Sequence, residues 1–185
     1  MKKFDAVLLV DCWTPNFWKD EVRARNQRKF HSNLLSFLRT QEFDQVLFAT
    51  KGLPLHITDP RLKYKVHSKT KSNRELHVED VVSYYDLYKN LQDKSNILFG
   101  GAAWKNCVHG NHIGLYELMD EKNLTILSHP SMVDSSIDNE EPITKQDFEN
   151  DWMIEWLERG DGFYHAARHR KRITKSFREI DVDKT

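Results

Sequence analysis

A cysteine set just after a buried strand is the first feature of this chain that can do chemistry. The segment Gly100-Gly101-Ala102-Ala103-Trp104-Lys105-Asn106-Cys107-Val108 follows the apolar run Ile97-Leu98-Phe99, and helical spacing resumes from Cys107 through Val108, Leu115, Leu118 and Met119. A thiol that opens a helix feels the partial positive charge of unpaired backbone N–H groups, which lowers its pKa and raises its thiolate fraction. Small residues ahead of it let backbone amides approach a bound carbonyl, and two such amides can stabilise a tetrahedral oxyanion. The chemistry this suits is attack of sulfur on an acyl carbon. A lone cysteine is more often a small core hydrophobe; the strand end and the glycines are what turn Cys107 toward catalysis.

Asp11 is the second candidate, because it closes the apolar run Ala6-Val7-Leu8-Leu9-Val10. The plain alternative for it is a helix cap or a turn residue. Cys12, its neighbour in an extended chain, points to the opposite face and reads as packing. Trp13, Phe17 and Trp18 follow closely and can wall a pocket for a planar or apolar substrate, although large aromatics are more often core.

The elements that must hold these residues follow from apolar patterning. Continuous apolar runs predict buried strands at 6–10, 46–49, 96–99 and 124–127, with an irregular strand around 62–66. Helical spacing predicts helices over 17–40, 78–91, 107–119 and 147–157. Within the last, Trp152 and Trp156 at i,i+4 suggest helix packing or a subunit interface. Residues 51–72 read as a loop with Gly52, Pro54 and Pro60, and 134–142 as a second polar loop. Strands alternating with helices imply an α/β fold: three layers, α/β/α, with a mostly parallel, doubly wound sheet. Asp11, Lys51 and Cys107 all follow strands, so all three are expected on the rim where such sheets bind ligands.

A length of 185 residues suits one domain. It is expected over residues 1–160, with a basic C-terminal extension over 161–185 that carries Arg168, Arg170, Lys171, Arg172, Lys175 and Arg178. That extension reads as a solvated tail, with a phosphate or acidic partner as the alternative. Formal net charge is zero, which gives no reason to expect nucleic acid or an anionic membrane as a partner. Two cysteines are too few for a disulfide framework, and the run at 6–10 is too short for a signal peptide or a membrane span. The expectation is a cytoplasmic protein that acts on a small molecule, without nucleic acid or membrane.

Gly101, Ala102, Ala103, Cys107 and Val108, together with Val7-Leu8-Leu9-Val10-Asp11 and Phe17, resemble the isochorismatase-like cysteine hydrolases, which include nicotinamidase and related amidases. The resemblance spans roughly residues 4 to 158 in element order. It implies a triad of Asp11, Cys107 and a lysine, with Lys69 first and Lys65 and Lys71 as competitors. Asp11 would accept the thiol proton and Cys107 would form a thioester on the way to cleaving an amide, carbamoyl or ureido bond. It also implies an oxyanion hole at the backbone amides of Ala103 and Cys107, a non-proline cis peptide between Ala102 and Ala103, and a homo-oligomer.

Departures from the family pattern are plain. Trp104 stands where a small threonine is usual and is expected to narrow or cap the pocket, and Lys105 reverses the usual acidic charge. The stretch Lys51-Gly52-Leu53-Pro54-Leu55-His56 lacks the nicotinamidase metal ligands, so neither metal nor cofactor is expected. His109 and His112, at i,i+3, raise a structural zinc, but no second ligand cluster accompanies them. Two further readings stand beside the hydrolase. One is a catalytically silent protein of this fold that binds a small molecule or a protein. The other is a metal-dependent nuclease using Asp11 with Asp80, Asp86 or Asp134.

Overall fold

Strand β2 (Ala6–Val10) is apolar at every position, and all five side chains are fully buried, because it is a central strand with a packed core on each face of the sheet. The computed structural model describes residues 3–50, 81–109, 114–119, 123–134, 143–150 and 154–167. Along the chain these form β1 (Lys3–Phe4), β2, a 3-10 turn (Pro15–Phe17), α1 (Glu21–Leu38), β3 (Glu42–Phe43), β4 (Val46–Thr50), β5 (Val81–Ser83) and α2 (Tyr84–Leu91). There follow β6 (Asn96–Ala102), a π-type turn (Trp104–Val108), α3 (Leu115–Leu118), β7 (Thr125–Ser128), a 3-10 turn (Pro130–Met132), β8 (Val133–Asp134), α4 (Lys145–Glu149), β9 (Glu155–Glu158) and β10 (Tyr164–Ala167).

The main sheet, eight strands among the described residues, runs β5-β4-β2-β6-β7-β10-β9, with β8 paired to the end of β6. Strands β5, β4, β2, β6 and β7 are mutually parallel, and β10 is antiparallel to both β7 and β9. The chain therefore builds outward from β2 through β4 to β5, then crosses back to lay β6 on the other side of β2. The order reverses between β2 and β6, and such a reversal opens a crevice at the carboxyl ends of the two strands.

Pleating divides β2 between two cores. Ala6, Leu8 and Val10 pack with Leu87 and Leu91 of α2, Leu115 and Leu118 of α3, and Phe148 of α4. Val7 and Leu9 pack with Phe30, Leu34, Leu35 and Leu38 of α1. Helices thus cover both faces. Helix α1 starts where the Asp20 carboxylate accepts the backbone N–H groups of Val22 and Arg23 at 2.8 and 3.3 Å, and it buries a single stripe at the expected spacing.

Three helix expectations change. Residues 81–83 are not helical: they pair as a strand with Phe48, Ala49 and Thr50 of β4, so sheet hydrogen bonding overrides the helical periodicity and α2 starts at Tyr84. The chain after Cys107 is no continuous helix, because the Tyr116 N–H turns back to the His109 carbonyl at 3.1 Å and α3 covers only Leu115–Leu118. Helix α4 starts at a reciprocal Thr144–Asp147 cap and ends at Glu149, and Trp156 and Leu157 lie on β9 instead. Trp156 is therefore a strand residue and has no helical i,i+4 relation to Trp152, which lies outside the described residues. So do the expected strand at 62–66 and most of the basic segment. Strand β10 carries the sheet to Ala167, past the expected boundary at 160. No helix among the described residues is long and apolar enough to cross a membrane.

Gly101 shows how closely the central strands approach. Its φ is +139°, and a Cβ there would sit 2.0 Å from the Val10 carbonyl oxygen. Gly101→Ala is expected to lower stability by about 3 kcal/mol or more, combining an unfavourable backbone conformation with overpacking. Urea denaturation of the variant against the parent protein measures it.

Candidate active site at the β2–β6 crevice

Asp11 leaves β2 directly after Val10, and Val10 is the register partner of Gly101. Neighbouring strands lie about 4.8 Å apart, so Asp11 and Ala102 start from adjacent points on the same rim. Asp11 is 1% exposed and adopts φ of +50°. Aspartate is among the few residues that tolerate this left-handed region, and such positions gather at functional sites. Its backbone is fixed on both sides: the Asp11 N–H donates to the Ala49 carbonyl at 2.8 Å, and its own carbonyl accepts from the Trp13 N–H at 2.9 Å.

On the β6 side the peptide bond between Ala102 and Ala103 is cis. The chain then makes one wide turn, closed by a hydrogen bond from the Val108 N–H to the Ala103 carbonyl at 3.1 Å. Cys107 lies inside this turn, half-buried, while Cys12 is 2% exposed with its sulfur 3.9 Å from the Val10 carbonyl. The thiol does not open a regular α-helix, which corrects the expected position at a helix start. Ala103 and Cys107, whose amides were assigned to an oxyanion hole, lie at the start of the turn and within it.

Trp104 is packed into the core rather than standing open at the rim. Its ring meets His109 at 4.3 Å, Phe148 at 4.6 Å and Trp156 at 5.6 Å, and it is 2% exposed. An aromatic floor therefore lies under the turn that carries Cys107. On the β2 side Trp13, Phe17 and Trp18 form a mutual cluster with centroids 5.1 to 5.4 Å apart, and the Arg23 guanidinium lies 5.5 Å from the Trp18 ring centre. Trp13 is buried and Phe17 is exposed, so this cluster reaches from the sheet rim to the surface.

Lys69, Lys65 and Lys71 lie outside the described residues, as do Lys51, Asp80 and His112. His109 is fully buried against Trp104. Among the described residues no group of three or more histidine, cysteine, aspartate or glutamate side chains is placed to hold a metal ion. No protein-family model matches the chain, and no curated protein matches it.

Asp134, considered in the sequence only as a nuclease carboxylate, has a buried partner that was not expected from the sequence. Asp134 ends β8 as the register partner of Ala102, and its carboxylate accepts a hydrogen bond from the Gln27 side-chain amide of α1. Both are buried. The end of β6 is thus flanked by Asp11 on one side and by Asp134 on the other. Gln27 carried a signal, since it interrupts the apolar stripe of α1 that continues through Phe30, Leu34 and Leu38. Asp134→Ala is expected to cost about 1–3 kcal/mol by removing the acceptor from a fully buried amide. Asp134→Asn keeps an acceptor oxygen and should cost less; thermal melts of the two variants side by side make the comparison.

Proposed function

We propose that this chain is a divergent cysteine hydrolase of the isochorismatase-like type, acting on a carbon–nitrogen bond of a small amide, carbamoyl or ureido compound. One observation carries the reading: Asp11 and the turn holding Cys107 leave adjacent, in-register strands at the point where the strand order reverses. The cis peptide at Ala102–Ala103 lies where the family resemblance puts one.

In this reading the Asp11 carboxylate takes the proton of the Cys107 thiol as sulfur attacks the substrate carbonyl carbon. The amides of Ala103 and Cys107 receive the oxyanion. As the tetrahedral adduct collapses, the carbon–nitrogen bond breaks and Asp11 returns the proton to the leaving nitrogen. Water then attacks the thioester, giving its proton to Asp11; the acid departs and the thiol is restored. Lys69, as the triad lysine, would hold the carboxylate and thiolate together. Trp13 and Phe17 would contact the substrate body. A reduced thiol nucleophile fits a cytoplasmic setting, and self-association into a homo-oligomer goes with the same resemblance.

The position of Cys107 within a wide turn, rather than at the start of a regular α-helix, favours the second reading, a silent protein of this architecture that binds a small molecule or a protein. Iodoacetamide labelling near neutral pH decides between them. An active nucleophile is expected to make Cys107 react faster than a free thiol and faster than Cys12, with Asp11→Asn slowing it. Equally slow labelling of both cysteines would support the silent binder. Once a substrate is found, Cys107→Ala is expected to cut turnover by on the order of 10³-fold or more, and EDTA should leave the rate unchanged.

A further inference from the structure

We propose that His129 is a positioning residue for the end of β6: its neutral imidazole holds the Pro130–Met132 turn, and with it β8, against Gly100–Ala102, and protonation releases that hold. The clamp stands on its own geometry; its effect on chemistry rests on the function proposed above.

His129 directly follows β7 and caps the 3-10 turn twice. Its backbone carbonyl accepts the Met132 N–H at 2.7 Å, and its Nδ1 accepts the Ser131 N–H at 3.1 Å. An imidazole nitrogen accepts only while it carries no proton. The ring cannot easily turn away, because it is stacked on Phe37 of α1 at 4.2 Å and 16°, lies 5.7 Å from the Phe163 ring, and sets Nε2 against Gly162. Protonated at Nδ1, it would aim a donor at a donor.

The turn held in this way presses on the candidate site. Met132 is fully buried, and its carbonyl oxygen would lie 2.1 Å from a Cβ at Gly100. The next two residues, Val133 and Asp134, pair with Gly101 and Ala102. Ala103 and the Cys107 turn begin immediately beyond. A loosened cap at Ser131 is therefore transmitted through three consecutive backbone contacts to the residues that launch the site.

Burial holds the His129 pKa below the ordinary imidazole value of 6.5, and Asp161, in the turn between β9 and β10, pulls it back up. Asp161 is the charged group that acts on the ring among the described residues, and its carboxylate also accepts the Phe163 N–H at 3.4 Å. The sign follows from linkage: the closed form prefers the neutral ring, so the hold is complete above the ordinary imidazole range and weakens as pH falls through it. His165 on β10 is shifted in the same direction by burial and by Arg159. A global melt would mix the two histidines, so a local readout is needed.

Amide hydrogen exchange, expressed as protection relative to the intrinsic rate, supplies it. Between pH 7.5 and 5.5 protection at Ser131 and Met132 is expected to fall about three- to tenfold, the size of losing one hydrogen bond, while protection in β4 stays constant. His129→Asn can still accept the amide two residues on but does not titrate, so its protection should be flat across this range. Asp161→Asn should move the fall to lower pH, which tests the clamp even if the His129 variant does not fold. Iodoacetamide labelling of Cys107, taken as the ratio of wild type to His129→Asn, should change across the same window. Flat protection in the wild type or a wild-type pH profile in His129→Asn overturns the clamp, and a constant labelling ratio with a fast-reacting Cys107 overturns its effect on the site. Slow labelling of Cys107 at every pH in every variant counts against the hydrolase alone and leaves the exchange result to judge the clamp.

Discussion

The contact between β2 and β6 is made backbone to backbone at its carboxyl end. With no side chain at Gly101, the Val10 peptide group comes so close that a single added carbon would overlap its carbonyl oxygen. Because β2 is also hydrogen-bonded to β4, it cannot shift sideways to relieve such an overlap. This fixed separation sets where Asp11 emerges relative to Ala102. On the other side of β6, β8 pairs with its last two residues, and Gln27 of α1 donates to Asp134 of β8. Gly100 is comparably close to Met132, so both sides of the end of β6 are packed backbone to backbone.

Much of this arrangement was legible in the sequence. Strands β2, β4, β6 and β7 are short continuous apolar runs, the signature of strands buried on both faces, and each was read close to its observed limits. Asp11 and Cys107 stood out because each follows such a run. Less legible were 81–83 and 155–158, where apolar residues fit a helical period equally well and only pairing with β4 or β10 settles the conformation. Strand β10 was hidden by the basic residues beyond it. The wide turn at Cys107 was missed for a similar reason: Val108, Leu115 and Leu118 keep helical spacing, yet the Tyr116 N–H bonds to the His109 carbonyl, seven residues back. The Gln27–Asp134 pair joins positions 107 residues apart, and local pattern cannot reveal such a contact.

The two sides of the crevice are built on different principles. Beneath Cys107 lies a closed aromatic core in which Trp104, Phe148, Trp156 and Tyr164 contact one another ring to ring. These contacts make the floor stiff, since each ring is held by others of similar bulk. Beyond Asp11 the aromatic cluster instead opens outward, with Phe17 exposed and Arg23 near the Trp18 ring. One aromatic group is thus enclosed in the core, and the other reaches the surface through Phe17.

Among the described residues β9 ends the sheet on its antiparallel side, and its composition bears on colloidal behaviour. Glu155, Leu157 and Glu158 are all exposed there, and Glu158 is tied to Lys145 at 2.6 Å. Another chain adding itself to this border would have to strip water from two carboxylates and disturb an ion pair. Charge on an edge strand is a common defence against strand-by-strand growth into fibrils, and among the described residues it sits beside one large exposed apolar side chain on β9, Leu157.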